Sequence, residues 1–187
     1  MKAIVVLAPG FEEIEAIHAI DILRRARVEV ETVSLSENTV VLGSHGVPVV
    51  ADKTLGESDD VCDAIVLPGG LRGVENMLQS DELIKKVQLY AKNGKYCAAV
   101  CAAPLVLKEA GVLSGHRFTC HPVVRDRMGE EVVEAPAVWD GKMVTGRSAG
   151  CAQAWALLLV EVLLGGVPES LASGLKCPED GETVIRV

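Results

Sequence analysis

Residues 95–104, KYCAAVCAAP, run from an apolar stretch onto a cysteine and through two alanines into a proline. Tyr96 to Val100 has no polar alternation, which predicts a strand buried on both faces, as in a parallel sheet. Pro104 suits the first turn of a helix, where no N–H is needed, so AAPLVLKEAG reads as the helix that follows. Strand, sharp turn and helix together form the unit of an α/β fold.

The same unit recurs on both sides of this stretch. AIVVLAPG and DAIVLPGG are apolar runs that end in glycine turns. After the first, FEEIEAIHAIDILRRA places Phe11, Ile14, Ile17, Ile20 and Leu23 at helical spacing. VEVETVSL alternates as a strand does, and SDELIKKVQLYAKNG is a helix with a Ser80 cap and a Gly94 stop. Two hairpins are predicted, one turning at Gly43 to Gly46 and one through Asp140-Gly141. CAQAWALLLVEVLLGG is a long apolar helix and PESLASGL a short one. The expected architecture is a three-layer α/β/α sandwich on a mainly parallel sheet, with one domain over residues 1–187.

Composition agrees with that class. Hydrophobic residues make up 49% of the 187 and aromatic ones only 3%, so the core must be built from Val, Leu, Ile and Ala. The net charge is −8, with no run of Lys and Arg longer than a pair, which argues against nucleic acid or an anionic membrane surface as partner. The first apolar run is too short for a signal peptide and is followed by Glu12, Glu13 and Glu15. The longest later run is broken by Glu161 and falls short of a membrane span. These features predict a soluble cytoplasmic protein whose six cysteines are reduced.

In a parallel sheet, ligands bind outside the carboxyl ends of the strands. Three loops fit that place here: APGFEE, LPGGLRG and VCAAP. Cys101, at a strand-to-helix turn, has the setting of a nucleophile: converging amides and a helix start lower a thiol pKa and hold an oxyanion. The competing reading is plain packing, because free cysteine is among the most buried residue types. Cys97, four residues earlier, is expected on the same face of the strand but deeper, in the core. His121 in FTCHP is either a base for the thiol or a solvated loop histidine. His18, His45 and His116 look unremarkable. Glu15 lines up with His18, Asp21 and Arg25 at helical spacing, which by itself predicts a solvated stripe or a subunit contact. LPGG offers unobstructed amides, or only a tight turn. No nucleotide-binding motif is present, and Cys97, Cys101, Cys120 and His121 do not match a zinc-ligand spacing, so neither cofactor nor metal is expected.

Taken in order, LAPGFEEIEA, LRRA, DAIVLPGG, AAVCAAP, the HP after a short strand and VWDGKMVTGRSAG resemble the ThiJ/PfpI (DJ-one) superfamily over nearly the whole chain. The similarity is closest to the branch of the parkinsonism-associated deglycase and its bacterial ThiJ/YajL-type relatives. The resemblance implies a flavodoxin-like fold, a homodimer, and an oxidation-prone cysteine matching Cys101. It also implies that Glu15 turns inward to hydrogen-bond that thiol, against the stripe reading. His121 matches the family's nearby histidine, and Gly70 and Ala102 match the residues whose amides hold an oxyanion or an oxidised sulfur. The chain departs from the branch in two places. GRSAGC stands at 146–151 where S-R-G-P-G-T is common, and the hairpin offers His45 where close relatives often carry arginine.

The function expected from the resemblance is that of a cysteine-dependent enzyme of glyoxalase or deglycase type. It would act on α-oxoaldehydes such as methylglyoxal and glyoxal, or on their early protein adducts, through a hemithioacetal at Cys101. A redox-sensing, chaperone-like stress protein whose Cys101 is oxidised is the alternative. A cysteine peptidase or amidase ranks third, because Ala102 stands where the protease branch places histidine directly after the cysteine.

Overall fold

In the computed structural model, which describes residues 1–58, 62–129 and 131–175, strand β1 (Lys2–Leu7) leads into helix α1 (Glu13–Arg25) and strand β2 (Glu29–Ser34). Strands β3 (Val40–Leu42) and β4 (Pro48–Val50) form a separate antiparallel hairpin, with Leu42 opposite Pro48. Next come β5 (Lys53–Thr54), β6 (Ala64–Leu67), α2 (Leu71–Leu78) and α3 (Asp81–Lys92). Then follow β7 (Tyr96–Val100), α4 (Pro104–Glu109), β8 (Ala137–Asp140), β9 (Met143–Gly146), α5 (Ala152–Leu164) and α6 (Glu169–Leu175).

The seven-stranded sheet has the order β5-β2-β1-β6-β7-β9-β8 and is parallel except for the β8–β9 hairpin at its edge. Register rows run across it with one side chain per strand. Ile4, Ile65, Cys97 and Met143 form one row and face the core under α2, α3 and α4. The next row, Val5, Val66, Ala98 and Val144, faces the core under α1 and α5. The unbroken apolar runs are thus explained: both faces of each central strand are covered. The three layers, the Ser80 cap accepting from the Leu83 N–H at 3.2 Å, and both hairpins follow the sequence expectation.

Helix α1 differs in one respect. Ile14 and Ile17 are exposed, and the buried face is Glu15, Ala16, Ala19, Ile20, Ile22 and Leu23. Ala16 and Ala19 let the helix approach the sheet and α5 closely, so these small residues rather than Ile14 and Ile17 face inward. Chain order reverses direction in the sheet between β1 and β6, and a crevice opens there at the strand ends.

Candidate active site

Cys101 follows β7 directly and has φ +64°, in the left-handed region that a side-chain-bearing residue rarely adopts. Two backbone hydrogen bonds hold it there. Its N–H donates to Gly146 O at 2.9 Å, and its carbonyl accepts the His121 N–H at 2.7 Å. Such over-determination sustains about 1–2 kcal/mol of local strain. The kink also breaks the strand alternation. Cys97 is fully buried in the core under α3, as expected, but it does not share a face with Cys101, which packs on the opposite core. The backbone amides of Gly70 and Ala102 both point at the Cys101 sulfur.

Glu15 reaches this thiol from α1 and is fully buried (0% exposed). The solvated-stripe reading is therefore corrected, and the inward turn implied by the family resemblance is what the fold contains. Its Oε2 accepts the Gly69 N–H at 2.7 Å, while the buried Oε1 has no hydrogen-bond partner. Burial raises the carboxyl pKa to about 7, against the opposing pull of the Gly69 amide and the Cys101 thiol. Burial and the adjacent Glu15 charge push the Cys101 thiol up as well, and the Gly70 and Ala102 amides pull it down. Carboxyl and thiol form one coupled pair, each ionising readily only while the other is neutral. The carboxyl, raised to about 7, ionises before the thiol, which is pushed up to about 12, while the two amides aimed at sulfur stabilise negative charge there when the thiol proton is given up.

The two glycines of LPGG divide the work. Gly70, at φ +89°, allows the turn that directs its amide at sulfur. Gly69 provides clearance: a Cβ there would stand 2.6 Å from both the Cys101 Cβ and Glu15 Oε2. Gly70 is legible from sequence as an amide donor, whereas the clearance at Gly69 is not; the doubled glycine is its available signal.

His121 lines the same cavity as Cys101 and Glu15, which measures about 650 Å³. Its Nδ1 accepts the Val123 N–H at 3.2 Å, so the neutral ring carries its proton on Nε2. In that tautomer the ring that lines the cavity carries its N–H on Nε2.

The β3–β4 turn forms another wall and is fastened to the start of α1. Glu13 accepts the His45 N–H at 2.7 Å, and its other oxygen meets His45 Nδ1 at 3.0 Å and Ser44 Oγ at 2.9 Å. These contacts hold the Glu13 carboxyl down at about 2, against the effect of burial. Hydrogen bonding and the charges of Glu13 and Glu12 raise the His45 pKa. His45 is therefore a structural clasp, which chain distance concealed from the sequence reading. Among the described residues, Glu12, Glu13 and His45 are the group whose possible metal-ligand atoms lie within 4.8 Å of one another; Cys97, Cys101, Cys120 and His121 form no such group.

The sequence pattern of the DJ-1/PfpI family matches residues 1–162. Protein dj-1beta of Drosophila melanogaster is 37% identical over 168 residues, which are 88% of this chain and 90% of that protein. A deglycase of Thermococcus kodakarensis is 33% identical over 167 residues, 87% of this chain and 99% of its own. The crystal structure of a DJ-1 superfamily protein from Salmonella typhimurium matches with a TM-score of 0.90 at 37% identity, covering 95% of this chain and 99% of that one.

Proposed function

Since the chain belongs to the DJ-1/PfpI family, we propose that it is a cysteine-dependent enzyme acting on α-oxoaldehydes such as methylglyoxal and glyoxal, or on their early adducts with protein groups. The observation that carries this reading is the pairing of a strained, amide-flanked Cys101 with a buried Glu15 whose carboxyl titrates near neutrality. Similarity to an archaeal protein named as a deglycase supports it.

The sulfur of Cys101 adds to the aldehyde carbon, and the carbonyl oxygen takes the proton of Glu15 to give a hemithioacetal. The Gly70 and Ala102 amides steady that oxygen as charge develops on it. Glu15, now a carboxylate, removes the hydrogen of the former aldehyde carbon and returns it to the neighbouring carbon through an enediol. His121 donates from Nε2 to the second oxygen. Water then cleaves the resulting thioester, releasing a 2-hydroxy acid and the thiol. Aldehyde plus water becomes hydroxy acid, with no outside oxidant or reductant.

The protein acts as a single-domain cytoplasmic homodimer. Exposed Ile14 and Ile17 of α1 adjoin a hairpin that exposes Val40, Leu42 and Val50, and a partner copy would cover this apolar surface. A second reading, oxidation of Cys101 as a redox signal, draws on the same amides, which would equally hold sulfinate oxygens.

Incubation with methylglyoxal should produce lactate. Cys101→Ser should abolish it, and Glu15→Gln should lower kcat by about 100-fold. No lactate above background from the unmodified protein would sink the enzymatic reading. Peroxide treatment followed by peptide mass spectrometry tests the second, which fails if Cys101 gains no oxygen.

A further inference from the structure

Arg72 stands in the first turn of α2, two residues beyond the Gly70 amide that faces the Cys101 sulfur. It lines the Cys101 cavity, and the stem of its side chain lies across Gly10, where a Cβ would meet Arg72 Cβ at 2.8 Å. Among the described residues it has no hydrogen bond or ion pair, and its side chain is exposed. The acidic groups at this rim are already engaged: Glu12 with Ser44 and His45, Glu13 with Ser44 and His45. Arg72 is thus an uncommitted cation that lines both this cavity and the neighbouring hollow of Pro9, Asn76 and Ser80.

Two further features describe the occupant. The cavity, about 650 Å³, far exceeds what a three-carbon aldehyde fills. Leu71 and Val123 line it although both are exposed, giving the cavity apolar wall beside its polar groups. On a chain of net charge −8, an anionic substrate is repelled at long range unless a local cation receives it.

We propose that Arg72 is a specificity residue, and that the preferred substrates are α-oxoaldehydes carrying a carboxylate a few methylenes from the dicarbonyl. This rests on the α-oxoaldehyde reading above and adds the charge and length of the substrate. The aldehyde carbon binds sulfur, the methylenes lie along Leu71 and Val123, and the planar guanidinium receives the carboxylate. For 4,5-dioxopentanoate the product is 2-hydroxyglutarate. The aldehyde hydrogen moves to the adjacent carbonyl carbon, water cleaves the thioester, and the thiol is regenerated.

The test compares kcat/KM for 4,5-dioxopentanoate and its methyl ester in the unmodified protein and in Arg72→Gln. The acid-to-ester ratio should fall about fivefold in the variant, the worth of one exposed charge pair, and should fall in the unmodified protein as salt is raised. A ratio that is the same in both proteins overturns the assignment of Arg72 and leaves the enzymatic reading standing. If neither compound is isomerised, the enzymatic reading fails and Arg72 is judged by binding. Calorimetric titration of Cys101→Ser should then show the acid binding more tightly than the ester, with the advantage lost on adding Arg72→Gln. Equal Kd values for acid and ester overturn the proposal.

Discussion

A methyl group added at Gly69 has nowhere to go: it would meet the Cys101 Cβ, Glu15 Oε2 and the Val100 carbonyl at 2.6, 2.6 and 3.0 Å. Gly69→Ala should therefore destabilise the fold by about 2 kcal/mol or more, measured by urea unfolding. It should also separate the thiol from the carboxyl. Glu15 makes a second prediction through its titration. Its pKa rises from 4.5 unfolded to about 7 folded, so folding favours the protonated form. The associated stability is fully present below pH 4.5 and is lost as pH rises through 7, by about 3 kcal/mol in all. Glu15→Gln keeps an acceptor for the Gly69 amide and cannot ionise. Its unfolding free energy, set against that of the unmodified protein from pH 4 to 9, should lack this decline; parallel curves would refute the buried-acid account. Residue spacing could not show any of this, although the family resemblance implied the inward turn of Glu15. By spacing, Glu15 belongs with His18 and Asp21, and only the approach of β6's loop makes it a buried acid.

At the scale of elements, the β3–β4 hairpin pairs with no strand of the main sheet among the described residues and is positioned by the start of α1 and the loop before it, where the Gly10 N–H donates to Leu42 O and the Ser44 N–H to Phe11 O, each at 2.8 Å. Glu13 receives contacts from both Ser44 and His45, with Glu12 as a second acceptor beside it, and a Cβ at Gly43 would clash with the Glu13 carboxyl. Glu13→Ala should release the turn, raising hydrogen exchange at the His45 amide by about tenfold or more, because hydrogen bonds to a charged acceptor are among the stronger ones. The Glu13 pKa, lowered to about 2, gives the pH sign: its stabilising effect is present above pH 4.5 and is lost as pH falls through 2. The hairpin itself was legible in VVLGSHGVPVV, since glycine-bounded alternating strands specify a local turn. Its docking was not, because Glu13 and His45 are 32 residues apart.

At the scale of the molecule, the exposed isoleucines of α1 decide the assembly prediction. Sedimentation should give twice the chain mass of 19.8 kDa, and Ile17→Glu should return it to one chain. A unit-mass species from the unmodified protein would remove the dimer. The succession of strands and helices, the parallel sheet and the place of Cys101 at a strand end were determined by the sequence alone. These depend on local patterns: unbroken apolar runs, caps, and glycine or proline at the turns. The tertiary structure decided which face of α1 turns inward, that Cys97 and Cys101 lie on opposite sides of the sheet, and that His121 Nδ1 accepts the Val123 N–H. The first two depend on a contact between residues far apart in the chain, or on one left-handed φ that no periodicity encodes. KYCAAVCAAP specifies a strand and a helix; the kink at its second cysteine exists because Gly146 and His121 hold that cysteine's backbone from either side.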